Sequence, residues 1–184
     1  MVHWREDLVA FIHAELGAKP AIATLATVDG ANADARSVVV RQVLGDGTLQ
    51  IVSDARSQKN HQLKQNPSAA AVFWFSGMRK QYRIAGTVKI LGEKDDSNPS
   101  RLAAWHDLSD SARALFFWPP PGETRRVSDE FPQFIPLETA MPASFEVLML
   151  APHSAEILDL NRHPHMRVRW KLLDKVWRVE ALNP

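Results

Sequence analysis

Residues 21–53 read AIATLATVDGANADARSVVVRQVLGDGTLQIVS, and this stretch decides the fold class. Apolar and β-branched residues alternate with a period of two over Ala21 to Val28, Ala35 to Leu44 and Thr48 to Ser53. Asp29-Gly30 is a hairpin dipeptide and Gly45-Asp46-Gly47 a tight turn, so the three segments predict an antiparallel meander. Upstream, Trp4, Leu8, Phe11, Ile12 and Leu16 recur at helical spacing, closed by Gly17 and Pro20. Downstream, Ser57 to Gln65 is a short polar helix ending at Asn66-Pro67, and Ala69 to Phe75 and Gln81 to Leu91 are two further strands rich in Val, Phe, Trp and Ile. Asp96-Ser97-Asn98 before Pro99 opens a stretch of one or two helices over Arg101 to Phe117, which Pro119-Pro120-Pro121-Gly122 ends. A charged, Pro-rich loop runs to Pro142. Phe145 to Leu150, Ala155 to Leu160, Met166 to Leu172 and Val176 to Ala181 predict a closing meander. The expectation is one domain over residues 1–184, mainly β: an antiparallel β-barrel with added helices.

Composition narrows the function. The 184 residues carry 22 Lys and Arg against 21 Asp and Glu, a net charge of +1, so no global field calls for nucleic acid or an anionic membrane. Without cysteine there is no disulfide framework, thiolate metal site or cysteine nucleophile. The longest apolar run, Ala69 to Phe75, is too short to span a bilayer, and the start lacks the order of a signal peptide, so a cytoplasmic protein is expected. No Gly-x-Gly-x-x-Gly follows a strand, against a dinucleotide fold.

Three local features can carry chemistry. Arg36 to Arg41 is an apolar strand framed by two arginines; alone, it reads as two rim cations with exposed heads. Ser53-Asp54-Ala55-Arg56-Ser57-Gln58-Lys59 puts a hydroxyl, a lysine and free helix amides where a strand passes into a helix, a combination suited to a phosphate monoester; alone, it is a serine cap beside a solvated lysine. Gln81 opens a strand and offers both a donor and an acceptor to a heteroaromatic edge; alone, it is an exposed sheet residue. Because a short meander can gather all three, together they point to a phosphorylated aromatic ligand.

These motifs, Arg36-Ser-Val-Val-Val-Arg41, Ile51-Val-Ser-Asp-Ala-Arg-Ser-Gln-Lys-Asn-His-Gln62, Asn66-Pro67 and Lys80-Gln81-x-x-Ile84-x-Gly86, resemble the pyridoxamine 5′-phosphate oxidase family in order and spacing over about residues 20–91. A looser similarity reaches Trp177 to Pro184. The resemblance implies a split barrel with bound FMN and a homodimer with flavin at the subunit interface. It implies Arg36 and Lys59 on the FMN phosphate with Ser57 and Gln58 beside them, and Ser37, Val38, Val39, Val52 and Ser53 along the ribityl chain and ring. Arg41 also falls in the cofactor set, Gln81 reaches the flavin edge from the partner subunit, and Arg167 matches a C-terminal flavin-contacting arginine.

The departures from the family's pattern concern the substrate. Arg41 stands where a lysine usually faces the substrate phosphate. The tyrosine, arginine and serine of the family's substrate pocket become Trp105, Ser109 and Arg113, and an arginine-x-histidine pair becomes His163-x-His165. Pro119-Pro120-Pro121-Gly122 replaces a glutamine-serine contact to the flavin, and a flavin-flanking tryptophan falls near Ile157. Arg41, Trp105, Arg113, His163 and His165 are therefore the substrate-side candidates, with no assigned acid or base. His163-Pro164-His165 lacks a third ligand nearby, so no metal is expected. The expectation is an FMN-dependent oxidoreductase of a small substrate other than the vitamin. The alternatives are a non-enzymatic flavin- or haem-binding barrel and a genuine pyridoxamine 5′-phosphate oxidase.

Overall fold

The computed structural model describes residues 3–17 and 19–184. The period-two stretch forms β1 (Ala21–Asp29), β2 (Asn32–Val43) and β3 (Leu49–Asp54); β4 (Ser68–Phe75), β5 (Lys80–Leu91) and β6 (Phe145–Asp159) follow. Neighbours run β3-β2-β1-β4-β5-β6, and β3 also pairs with β6, closing six antiparallel strands into a Greek-key barrel. β7 (Met166–Leu173) and β8 (Val176–Leu182) extend the sheet from β6. Alternate residues of β1 point inward: Ala21, Ala23, Leu25 and Thr27 are buried, and Phe73, Phe75, Tyr82 and Ile84 join them from β4 and β5.

Helices close the barrel and extend its core. α1 (His3–Leu16) buries Trp4 and Leu8 completely, each such side chain contributing about 1.5–3 kcal/mol of burial. Trp4 meets Trp177 edge-on at 5.4 Å and lies against Gly47. Gly47 has φ +91°, and a Cβ there would sit 2.5 Å from the Trp4 ring, so glycine serves both the turn and the contact. α2 (Gln58–Gln65) buries Asn60, Gln62 and Leu63 at its inner face. α3 (Pro99–His106) starts as predicted, with the Asn98 side chain capping the Ser100 amide at 3.0 Å and proline at the first helical position. α3, α4 (Asp110–Ala114) and a 3-10 turn (Leu115–Phe117) cover a second core of Trp105, Phe116, Phe145 and Val147. No helix among the described residues is long and apolar enough to cross a membrane.

The C-terminal strands correct one expectation. Phe145 to Leu150 and Ala155 to Leu160 are not two strands parted at Pro152 but a single strand, β6. The ladder with β5 slips between Ala85 and Gly86, so Pro152 faces Gly86 and Ser154 faces Ala85, with His153 as the extra bulged residue. A Cβ on Gly86 would lie 2.1 Å from the Ala151 carbonyl oxygen; its glycine is what lets the strand run on past proline.

Candidate functional site

The main cavity, about 740 Å³, lies against the outer face of β2 and β3. Its sheet wall is Ser37, Val38, Val39, Arg41, Val52 and Ser53, its end is Lys59, and its far wall is the segment from Trp118 to Phe131. Of the residues expected at a cofactor, Ser37, Val38, Val39, Arg41, Val52, Ser53 and Lys59 line this one space. Val39 and Val52, brought side by side by the pairing of Val40 with Ile51, present an apolar surface to it, whereas Val38, one residue from Val39, turns its side chain into the barrel core.

At the α2 end the polar groups are arranged for an anion. Ser57 occupies the N-cap position, but its hydroxyl does not cap the helix. It bonds the Asp54 carbonyl at 2.8 Å and the Asn60 side chain at 3.0 Å, and accepts from Lys59 Nζ at 3.0 Å. The first amides of α2 are thereby left without a side-chain acceptor, at the positive end of the helix. Lys59 has no carboxylate within 4.0 Å among the described residues. Burial, then the nearby Arg36 charge, push its pKa below the usual lysine value against a weaker opposite pull from Asp54. A part-buried ammonium in that state is stabilised by an incoming anion.

Arg36 reaches the same corner from inside the barrel. Its Nη1 donates to the Leu25 carbonyl (3.2 Å) and Thr27 Oγ1 (2.5 Å), and its Nη2 to Asp34 (2.6 Å) and Gln62 Oε1 (3.0 Å). Gln62 Nε2 in turn donates to Asp34 at 2.9 Å. The Gln62 hydrogen bond, followed by the Arg36 charge, holds the Asp34 carboxyl below its ordinary range against the opposing effect of desolvation. A parallel brace links Ser53 and Ser57 through the Asn60 carbonyl oxygen, while the Asn60 amide donates to Glu146 on β6. Asn60 and Gln62 fall inside the motif that ends at Gln62 but carry no assigned role in the sequence, and Asp34, Thr27 and Glu146 give no signal there.

The remaining expected site residues lie elsewhere. Gln58 is exposed on α2. Gln81 and Arg167 stand outside the cavity in one register row across four strands, Trp74–Gln81–Leu158–Arg167, where Arg167 bonds Glu156 at 2.9 Å. Trp105 is buried in the second core. Arg113 is buried too, spent on Asp110 and on the Leu108 and Ile135 carbonyls. Ile157 is buried in the barrel core. His163 and His165 are exposed in the β6–β7 turn.

Comparison with known proteins gives this geometry its context. The family described as pyridoxamine 5′-phosphate oxidase, FMN-binding domain, matches residues 1–92. A pyridoxine/pyridoxamine 5′-phosphate oxidase of Gloeothece citriformis is 35% identical over 181 residues, covering 90% of this chain and 80% of its own. The corresponding oxidase of Nostoc punctiforme is 26% identical over 179 residues, with the same coverage of 90% and 80%. A crystal structure of a pyridoxamine 5′-phosphate oxidase-related, FMN-binding protein from Nostoc punctiforme superposes with a TM-score of 0.90 at 31% identity, covering 100% of this chain and 99% of that one. The chain belongs to the pyridoxamine 5′-phosphate oxidase family of FMN-binding barrels, with FMN as its cofactor.

Proposed function

We propose that the protein is a homodimeric FMN-dependent oxidoreductase acting on a small molecule other than pyridoxamine 5′-phosphate. The observation that carries the cofactor placement is the α2 corner: uncapped amides, a part-buried lysine without a carboxylate, and an apolar strand face leading away from them. Lys59, the α2 amides at Gln58 and the last free donor of Arg36, its Nε–H, would hold the phosphate. Ser37, Val38, Val39, Val52 and Ser53 would flank the ribityl chain and ring. When bound, FMN supplies hydride exchange with the substrate and passes the electrons to oxygen or another acceptor. The chain's own part is to fix the phosphate, shield one ring face with the β2 and β3 valines, and orient the substrate from Arg41 and the far wall.

Two observations favour a substrate other than the vitamin and a dimeric site. Arg113 and Trp105, which fall at the family's substrate-phosphate positions, are buried and committed to internal contacts. Gln81 and Arg167 lie outside the cavity of their own chain, in a row that also presents Trp74, 54% exposed, next to Ile22, 58% exposed. A second copy docked on that face would receive both side chains at its flavin. The haem alternative is weaker, since no histidine among the described residues lines the cavity.

The test is reconstitution with FMN, followed by reduction with a panel of donors and light scattering of the same sample. A yellow dimer that bleaches with a donor is expected. FMN-loaded protein that no donor bleaches would overturn the enzymatic reading, and a monomer with FMN bound would overturn the shared site.

A further inference from the structure

The far wall of the cavity is a strap, Trp118 to Phe131, tied to itself at both ends. Trp118 Nε1 donates to the Pro132 carbonyl at 2.8 Å, and its ring meets Phe131 edge-on at 5.3 Å. The Arg125 guanidinium stacks over Phe131 at 4.9 Å, and Asp129 accepts from the Arg126 amide at 2.6 Å. Three consecutive prolines, Pro119 to Pro121, stiffen the approach. Arg125 and Arg126 line the cavity together with Arg41, and none of the three guanidinium groups has a carboxylate within 4.0 Å among the described residues.

Arg41 cannot serve the anion at α2: it lies five residues along β2 from Arg36, about 17 Å at the rise of a strand. The space therefore has a second cationic pole, next to two aromatic side chains. Apart from Lys59 and Asp54 at the α2 end, the charged lining is Arg41, Arg125 and Arg126 against Glu123 and Asp129, so three guanidinium groups against two carboxylates leave a single net positive charge there. One excess charge matches a monoanion better than a doubly charged phosphate ester.

Resting on the flavin reading above, we propose that the strap selects an aromatic or heteroaromatic carboxylate: Trp118 and Phe131 flank its ring, and Arg125 and Arg126, with Arg41, bind its carboxylate. A planar guanidinium already stacked on an aromatic face is oriented for a carboxylate in the ring plane, with less rotamer freedom to lose on binding.

The test uses FMN-loaded protein and three small probes, benzoate, phenyl phosphate and benzamide, followed by the flavin absorption difference spectrum. Benzoate is expected to bind at least about tenfold tighter than neutral benzamide, the scale of one charge-assisted contact, and tighter than phenyl phosphate. Arg125→Ala with Arg126→Ala should weaken benzoate about tenfold or more and leave FMN affinity within about twofold. Equal binding of benzamide and benzoate, tighter binding of phenyl phosphate, or unchanged benzoate affinity in the variant would each overturn the strap assignment. Loss of discrimination with FMN still bound overturns the strap alone, whereas a protein that never takes up FMN overturns the flavin reading and this proposal with it.

Discussion

The two ends of the cavity are built on opposite terms. Around α2 nearly every polar side chain is held by another: Arg36 spends four of its five donors on the protein, and Asn60 and Gln62 are buried with the oxygen and the nitrogen of each amide hydrogen-bonded. At the other end, Arg41 on β2 and Arg125 and Arg126 on the strap have guanidinium groups with no carboxylate partner among the described residues. A wall fixed in advance suits a ligand that never changes, because the ordering cost is met during folding rather than at binding. A wall of uncommitted charge on a loop suits a ligand that can differ between relatives on the same barrel.

The sharpest way to break this contrast is to remove the fixed cations. Arg36→Ala with Lys59→Ala deletes two charge-assisted contacts worth about 1.5–3 kcal/mol each, so FMN affinity should fall by at least about 100-fold. Flavin fluorescence titration reads it directly. Retained affinity would place the phosphate somewhere other than the α2 corner.

A subtler change tests whether the brace, rather than the charge, matters. Gln62→Leu keeps both cations but removes an acceptor from Arg36 and a donor from Asp34. It also leaves the buried Thr27 hydroxyl, which donates to Gln62 Oε1 at 2.5 Å, without its acceptor, at a cost of about 1–3 kcal/mol, so a lower melting temperature and FMN affinity reduced by about tenfold are expected, with benzoate binding at the strap unchanged once FMN is saturating. If FMN affinity stays at the wild-type value while stability falls, Gln62 merely packs the barrel end, and the idea of a pre-set phosphate corner is lost.

The contrast also explains what could be read in advance. Strands such as β1, β4 and β5 were legible because their residues alternate against a buried interior, and the first meander because Asp29-Gly30 and Gly45-Asp46-Gly47 are strong local turns. β6 was misjudged because Pro152 is a local signal, whereas the bulge that absorbs it depends on Gly86, more than sixty residues earlier in the chain. The sheet side of the site was legible through motifs within a single hairpin and helix. Asp34, Thr27, Asn60, Gln62 and Glu146 were not, because their role arises only when separate elements converge. The strap was the least legible part: Arg125 and Phe131 sit in a stretch without periodicity, and only the closed loop brings one over the other.

The smallest expected effect is a pH dependence confined to the fixed end. Burial, chiefly, and then the Arg36 charge hold the Lys59 pKa below its ordinary value of 10.5, with Asp54 opposing. Only the protonated amine attracts phosphate, and a phosphate monoester is already doubly ionised above about pH 7. FMN affinity should therefore drop a few-fold as pH rises through the Lys59 pKa, starting below 10.5. The stability of the FMN-free protein should move the other way. A base whose pKa is lowered by folding binds its proton more weakly in the native state, so its penalty is present in full at neutral pH and is relieved as pH climbs from the folded pKa to the unfolded value of 10.5. Lys59→Arg moves the titration out of range and should flatten the affinity profile, while ionisation of the flavin itself is common to both proteins. Parallel profiles for wild type and Lys59→Arg would mean that Lys59 does not contact the phosphate, and the fixed end of the cavity would then rest on Arg36 and the helix amides alone.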